Sequence, residues 1–213
     1  MATLTKNDHV FINCPFDAKY SEIFQAIIFS VTHCGFYARC ALEESNAIVN
    51  RLTKIMDIIS ECRYSIHDIS RTEIDQTTSL PRFNMPLELG IFMGSRRFGN
   101  FSQKGKQCLI LDTTPYRYQK FISDIAGQDI QCHNNDIKQV IICVRNWLAT
   151  TKSSGGHLCS GSIIYEDYLK FQKELPALCQ QYKLDEKQLE FVDINYLVNQ
   201  WCHDKNVPQP ALA

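Results

Sequence analysis

Several common signatures are missing from this 213-residue sequence. It contains no Cys-x-x-Cys pair, no P-loop, and no Gly-x-Gly-x-x-Gly after its first apolar segment, which excludes the standard thiol-pair and phosphate-loop motifs. No apolar run approaches the roughly 20 residues that span a membrane. A formal net charge of -1 leaves no basic footprint for nucleic acid. We therefore expect neither a membrane partner nor direct nucleic-acid binding.

Ten cysteines are present, a number that is typical of disulfide-rich and metal-binding proteins. However, residues 1–8 lack the apolar core of a signal peptide, and a chain of this length does not need disulfides to fold. The pairs Cys132-His133, His157-Leu158-Cys159 and Cys202-His203 lack the chelating spacing of zinc sites. We expect reduced thiols, no bound metal and a cytoplasmic location.

Short β-rich apolar segments alternate with longer segments of helical periodicity in the first 150 residues. This alternation predicts a doubly wound α/β fold with a mostly parallel five-stranded sheet. The predicted strands are 9–12, 36–42, 63–68, 107–112 and 129–132. The predicted helices are 20–32, 47–62, 81–98, 116–122 and 136–150, with Gly35 as the first C-cap and Asp136 as the last N-cap.

The composition changes after this region. Residues 151–164 include a Ser- and Gly-rich stretch without apolar periodicity, which predicts a linker between an α/β domain, 1–150, and a helical C-terminal extension, 165–213. Within the extension, helices are predicted at 165–182 and 193–203. Pro176 is expected to kink or split the first of them.

Ligands bind beyond the carboxyl ends of the strands in doubly wound sheets. The loops at the ends of the first three predicted strands are rich in polar and aromatic side chains, namely Asn13, Pro15, Phe16, Asp17, Tyr20, Arg39, Glu43, Glu44, Asp68, Ser70 and Arg71. The start of the third predicted helix adds Arg82, Asn84 and Glu88. We expect the functional site among these residues.

Glu88 is the most informative of these candidates. Pro86 predicts the first helical turn and puts Glu88 within it, where the helix dipole favours an ionised carboxylate. Gly90 and Gly94 predict close packing of this helix against the sheet or a ligand. The alternative is a first-turn acid of the capping-box type, whose side chain reaches back to the backbone.

A carboxylate at this edge suits cleavage of an N-glycosidic bond, because the oxocarbenium-like transition state needs nearby negative charge or a covalent acceptor. One carboxylate suffices for NAD, whose cationic nicotinamide leaves without protonation. A neutral base usually needs a general acid as well.

The other candidates each have two interpretations. Asp68 is either a ribose ligand or general acid, or a turn residue that binds the following backbone. Arg39 and Arg82 either bind phosphates or form surface ion pairs. His67 alternates with apolar neighbours on a strand, which favours a packing role over a role as base.

The segment from Pro81 to Gly94 resembles the TIR-like nucleotide-binding domains of bacterial anti-phage effectors, in which Pro-Arg-x-Asn runs into Glu-Leu-Gly-x-Phe-x-Gly. Here these elements occupy 81–84 and 88–94. Nucleoside 2-deoxyribosyltransferases carry a similar Glu-Leu-Gly with the Glu as nucleophile. Residues 66–70 are similar to the end of the third strand in both families. The resemblance covers residues 8–150, and it implies a TIR-like, flavodoxin-like sheet.

In either family Glu88 takes the catalytic role. The binding positions that the resemblance implies are Arg82 and Asn84 for the ribose or a phosphate, Asp68 and Ser70 for the ribose pocket, and Phe16 or Tyr20 for stacking on a ring. It also implies a homo-oligomer or a partner-activated assembly, for which the segment from Tyr165 is the candidate docking element. The loop 13–17 departs from the usual TIR sequence.

Three functions follow as hypotheses. The first is a hydrolase that cleaves the N-glycosidic bond of NAD or a related nucleotide as substrate, without a cofactor, in anti-phage defence. The second is a nucleoside 2-deoxyribosyltransferase or a nucleoside or nucleotide hydrolase. The third is a non-catalytic TIR-type interaction or nucleotide-sensing module.

Overall fold

Five parallel strands form the centre of the fold in the computed structural model, which describes residues 8–72, 82–151, 158–205 and 207. The strands are β1 (His9–Asn13), β2 (Tyr37–Arg39), β3 (Tyr64–Asp68), β4 (Gln107–Asp112) and β5 (Gln131–Cys132). Their spatial order is β2-β1-β3-β4-β5, and every neighbouring pair is parallel. The predicted five-stranded sheet is therefore confirmed, with a shorter second and fifth strand than expected.

In the described residues, six α-helices surround the sheet: α1 (Ser21–His33), α2 (Arg51–Glu61), α3 (Asn84–Phe98), α4 (Ile137–Thr151), α5 (Gly161–Tyr182) and α6 (Phe191–Asp204). The helices α1 and α4 share one core with the sheet, whereas α2 and α3 pack together over other buried residues of β1 and β4. This is the predicted doubly wound arrangement. None of the described helices has both the length and the apolar character needed to cross a bilayer.

Local signals explain where several helices begin and end. The Asp136 side chain accepts the Lys138 N–H at 2.8 Å, as expected for an N-cap. Gly35 follows α1 with φ 79°, a conformation that glycine adopts without steric cost. In contrast, α2 begins at Arg51 rather than at residue 47, because Asn50 caps it by accepting the Leu52 N–H at 2.8 Å.

The two C-terminal helices pack directly on the α/β core. Phe29 of α1 lies 5.4 Å from Phe171 of α5 and 5.5 Å from Trp201 of α6, measured between ring centroids. A Cβ on Gly161 would come within 2.8 Å of Ile142, so glycine permits the close approach of α5 to α4. The helical extension thus shares the main core, while its separation as a domain stays a prediction. Residues 152–157 of the expected linker lie outside the described residues.

Pro176 was expected to kink or split α5; it does not split the helix, and the kink stays a prediction. The helix runs unbroken from Gly161 to Tyr182. Pro176 lies on the exposed side, where water can bind the carbonyl that its missing N–H leaves free, and Leu175 and Cys179 on the opposite side are buried in the core. Packing of the buried side therefore preserves the helix.

The expected close packing of α3 at its glycines against the sheet is also wrong. A Cβ added to Gly90 or Gly94 would meet no atom of the described chain within 4 Å. These glycines lie on the outer part of the helix, since Leu89 and Phe92 are the residues that α3 buries. Packing within the described chain therefore does not explain why glycine occupies positions 90 and 94.

Candidate active site

Asn13 connects the end of the sheet with the start of α3. It is the last residue of β1, pairs with His67 of β3 in the parallel register, and is 2% exposed. Its Nδ2 lies 2.9 Å from His67 Nδ1 and donates to the Met85 carbonyl oxygen, also at 2.9 Å. The amide hydrogens of this predicted substrate-binding residue are therefore used within the protein, and they orient the first turn of α3.

Glu88 lies in the second turn of α3, not in the first as expected. The helix begins at Asn84, two residues before Pro86, and its first turn contains no acid. Glu88 is 8% exposed, and no hydrogen bond joins its carboxylate to the rest of the described chain, which argues against the capping-box alternative. The Glu88 residue is therefore largely buried, and its carboxylate has no hydrogen-bond donor from the described chain.

The pKa of Glu88 is raised, whereas the helix dipole was expected to favour an ionised carboxylate. Burial raises the pKa of this side chain from 4.5 to about 7, and the nearby positive charge of Arg51 opposes the rise only in part. The expectation of a permanently ionised carboxylate is wrong, because loss of water outweighs the helix dipole at this depth. Near neutral pH both protonation states of Glu88 are populated.

Asp68 ends β3 and is fully buried. Its Oδ1 accepts the Ser70 N–H at 2.8 Å, while Oδ2 accepts the Tyr20 hydroxyl and lies 3.1 Å from His133 Nε2. Burial alone would raise the pKa of Asp68, but the contacts with His133, Ser70 and Tyr20 hold it below its ordinary value. The bond to Ser70 is the turn interaction considered as the alternative role of Asp68.

His133 was missed as a site residue by the sequence analysis. It follows β5 directly and is fully buried, and its Nδ1 accepts the Asn135 N–H at 3.1 Å. A neutral His133 imidazole must therefore carry its proton on Nε2, facing Asp68. The only available signal was its place after a predicted strand.

The end of β4 adds a second ionic contact that was not foreseen. Asp112 is fully buried, and its Oδ1 accepts Arg117 Nε at 2.6 Å. Arg117 also donates from Nη2 to the Ile69 carbonyl oxygen at 2.6 Å. This contact ties the loop after β4 to the loop after β3, and so supports the turn that holds Asp68.

The loop between β1 and α1 contributes the other predicted binding residues. Pro15 and Tyr20 are buried, so neither offers a ring face to a ligand. Phe16 is 38% exposed and packs edge-on against Phe24 at 5.2 Å between ring centroids. Of the two residues considered for stacking on a ring, only Phe16 is accessible.

Asp17 and Arg82 lie together at the outer side of this loop. Arg82 Nη1 donates to Asp17 Oδ2 at 2.8 Å, with 42% of the Arg82 side chain and 28% of the Asp17 side chain exposed. Asn84 is exposed at the first residue of α3. Pro81 and most of the predicted polar loop, residues 73–80, lie outside the described residues.

The Arg39 guanidinium does not join Asn13, Asp68 and Glu88. Its Nε donates to both carboxylate oxygens of Glu43 at 2.8 and 2.7 Å, and its Nη1 contacts Glu61 and His9 Nδ1, each at 3.2 Å. The hydrogen bond to Glu43 raises the pKa of Arg39. His9 begins β1, so the Arg39 guanidinium points to the amino end of the sheet. The predicted phosphate contact is not supported, and the ion-pair interpretation is.

Cys14 lies directly after β1, next to Asn13. The residue is 2% exposed, and its pKa is raised first by burial and then by the negative charges of Asp68, Cys40, Glu88 and Asp17. These carboxylates are therefore near enough to Cys14 for their charges to act on its thiol. Across the described parts of the chain, no three His, Cys, Asp or Glu side chains come together as a possible metal site.

No protein-family model matches the chain, and neither a curated protein nor a solved structure is significantly similar to it.

Proposed function

We propose that this chain hydrolyses the N-glycosidic bond of NAD or a related nucleotide, with Glu88 as the catalytic carboxylate. The observation that carries the proposal is a carboxylate at the carboxyl edge of a parallel sheet that is 8% exposed and has no hydrogen-bond donor in the described chain. A buried carboxylate with no donor has its charge available for a ligand, whereas Asp68 is occupied by Tyr20, Ser70 and His133.

The chemistry follows from burial. As the bond between the ribose and nicotinamide breaks, positive charge develops on the sugar, and the ionised Glu88 carboxylate stabilises it more strongly in a poorly solvated position than in water. Nicotinamide leaves as a neutral molecule, so no second acid is required. Water then attacks the anomeric carbon and gives up a proton to the solvent, and ADP-ribose is released.

The geometry around Glu88 suggests how the substrate is oriented. Phe16 is a partly exposed aromatic ring in the loop after β1, and Asn84 is the exposed amide at the start of α3. We propose that Phe16 packs on a base and that Asn84 binds the ribose. In this arrangement the substrate is not contacted by the buried residues Asn13, Asp68 and Tyr20. They stabilise the start of α3 and the loops that carry the binding residues.

One observation favours a second function. Because the pKa of Glu88 is about 7, a substantial fraction of the side chain is protonated at neutral pH, and a protonated carboxyl can act as a general acid on a neutral base. That chemistry suits a nucleoside hydrolase, whereas a nucleoside 2-deoxyribosyltransferase would need ionised Glu88 as its nucleophile. The two functions require opposite protonation states of the same residue.

The test is incubation of the purified chain with a pool of NAD, NADP, ribonucleosides and deoxynucleosides, with products identified by mass spectrometry. We expect nicotinamide and ADP-ribose. Base exchange between deoxynucleosides would instead favour the transferase, and binding without turnover would favour the interaction module. Assays at several protein concentrations would reveal dependence on a homo-oligomer, as a specific activity that rises with concentration.

The pH dependence of kcat/KM separates the two chemistries. If ionised Glu88 stabilises the transition state, kcat/KM rises with pH through about 7 and then levels off. If protonated Glu88 donates to a leaving base, kcat/KM falls through the same range. A profile that is flat between pH 5 and 9 would contradict both roles of Glu88.

A further inference from the structure

A second group of charged side chains lies at the opposite end of α3 from Glu88. Arg96 and Arg97 are in the last turn of this helix, and Lys104 and Lys106 precede β4. These four side chains line one cavity of about 440 Å³. Arg96 is eight residues beyond Glu88, or about 12 Å along the helix axis at 1.5 Å per residue. The cavity is therefore separate from the candidate active site.

The positive charges of this cavity are not matched by acidic residues in the described parts of the chain. Its described lining residues include neither Asp nor Glu, and Arg96 and Arg97 form no ion pair with any carboxylate of the described chain. Lys104 Nζ donates to the Arg97 carbonyl oxygen at 2.8 Å, which leaves its positive charge in place. Since the whole chain has a formal net charge of -1, this concentration of positive charge is local.

Lys106 holds one of these charges inside the protein. The residue is 2% exposed, and its Nζ donates to the carbonyl oxygens of Ile59 and Cys62, each at 2.5 Å, and lies 4.6 Å from the Phe92 ring centroid. Burial lowers the pKa of Lys106 to about 8. A nearby anion would favour the protonated form of Lys106. Among the described residues, the Ile59 and Cys62 carbonyl oxygens and the Phe92 ring stabilise this positive charge.

The positive surface continues beyond this cavity. A neighbouring cavity of about 660 Å³ shares Lys104 and Lys106 and is also lined by Arg63. The Arg63 Nε is buried without a hydrogen-bond partner in the described parts of the chain. Among the described residues, the region thus combines a buried cation, two guanidinium groups without ion pairs, and a buried N–H donor without a hydrogen-bond partner.

We propose that the cavity at the end of α3 binds a phosphorylated small molecule, with Arg96 and Arg97 as the main ligands of the phosphate. Paired guanidinium groups offer planar, multiple donors that match phosphate oxygens. A volume of about 440 Å³ accommodates more than a phosphate ion, and Met93 and Cys108 give part of the wall an apolar character. The ligand therefore carries a compact apolar group beside its phosphate.

The experiment is isothermal titration calorimetry of the full chain, at constant ionic strength, with phenyl phosphate and with inorganic phosphate as probes. Neither contains a glycosidic bond, so the result is independent of the proposed N-glycosidase activity. The test variant is Arg96→Gln/Arg97→Gln. The matched control is Lys173→Gln/Lys187→Gln, which removes the same charge from exposed positions on the C-terminal part of the chain.

We expect phenyl phosphate to bind the wild type and the control equally, and the Arg96→Gln/Arg97→Gln variant at least about tenfold more weakly, because each lost charged donor weakens phosphate binding. Inorganic phosphate should bind the wild type more weakly than phenyl phosphate does. Absence of binding by both probes, or an equal loss in both double variants, would overturn the site. Equal affinities for the two probes would overturn its apolar part.

Discussion

The second turn of α3 and the end of β3 each bury one carboxylate near Cys14, and the two respond to burial in opposite ways. The pKa of Glu88 rises to about 7, whereas the pKa of Asp68 falls below its ordinary value although Asp68 is the more deeply buried residue. The difference lies in the hydrogen-bond donors. Asp68 has two donors, Tyr20 and Ser70, and a 3.1 Å contact with His133 Nε2, whereas Glu88 has no donor in the described chain.

The comparison of Glu88 with Asp68 shows that the extent of burial alone does not identify a catalytic carboxylate. A buried carboxylate whose lone pairs are filled by the protein stabilises the fold and has little left to offer a substrate. One without donors costs stability when it ionises, and this cost is recovered when a positive charge forms beside it. Glu88 thus has the properties expected of a functional group, and Asp68 has those of a structural one.

The largest expected effect is loss of catalysis in Glu88→Gln. This change removes the charge but keeps the shape, so we expect nicotinamide release from NAD to fall about 10⁴-fold, equivalent to about 5 kcal/mol of transition-state stabilisation. Quenched-flow or mass-spectrometric assays would measure it. The matched control is Glu166→Gln on the exposed side of α5, which should retain wild-type turnover. Full activity in Glu88→Gln would eliminate this residue from the mechanism.

In contrast to Glu88→Gln, the change Asp68→Ala should mainly reduce the stability of the fold. It removes the acceptor of two buried donors and the contact with His133, so we expect a loss of about 4 kcal/mol in the free energy of unfolding, read from urea denaturation. The isosteric Asp68→Asn should lose less, because an amide oxygen can still accept from Ser70. If Asp68→Ala were as stable as the wild type but inactive, Asp68 would be a catalytic residue after all.

A third test uses the pH dependence of stability. The folded-state pKa of Glu88 exceeds its ordinary value, 4.5, so the folded chain binds this proton more tightly than the unfolded chain does. The contribution of Glu88 is therefore fully present below pH 4.5 and is lost as pH rises to about 7, by up to about 3 kcal/mol at 1.36 kcal/mol per pKa unit. Urea denaturation of the wild type and of Glu88→Gln between pH 4.5 and 8 would measure this contribution, as the pH-dependent difference between their free energies of unfolding.

A smaller effect distinguishes two asparagines. Asn13→Ala leaves the Met85 carbonyl oxygen and His67 Nδ1 without their donor, so we expect a loss of about 2 kcal/mol in stability and a lower kcat, because the turn before Glu88 loses its support. Asn84→Ala changes an exposed residue and should alter stability by less than about 0.5 kcal/mol while raising KM. Equal stability losses would contradict the positioning role of Asn13.

Much of the sheet could be predicted because strands and their polar boundaries are local features. The predicted strand 107–112 has the same bounds as β4, and the prediction for β3 begins one residue early. The prediction for α2 failed at its start because Ile48 fitted the helical period. Ile48 is in fact 95% exposed in the loop before Asn50, and the cap at Asn50 decides the boundary.

The candidate site was only partly predictable for a related reason. Periodicity and strand ends identify Asp68 and Glu88 as residues at the carboxyl edge, yet they carry no information about contacts across the sheet. His133 reaches Asp68 from 65 residues away in sequence, through the order of β3, β4 and β5. The pKa of Glu88 depends on its burial, and its place in the second turn follows from a helix that begins at Asn84, two residues before Pro86.

The smallest expected effect concerns the Asp17–Arg82 pair at the rim. Both side chains are partly exposed, so breaking the pair by Asp17→Asn should cost less than about 1 kcal/mol of stability. Arg82→Gln should cost a similar amount. If Arg82 also binds a substrate phosphate, Arg82→Gln raises KM for NAD several-fold with kcat unchanged, whereas Asp17→Asn lowers KM by freeing the guanidinium from Asp17. Steady-state kinetics of both variants decides this, since parallel changes in KM would show that the ion pair only shapes the loop.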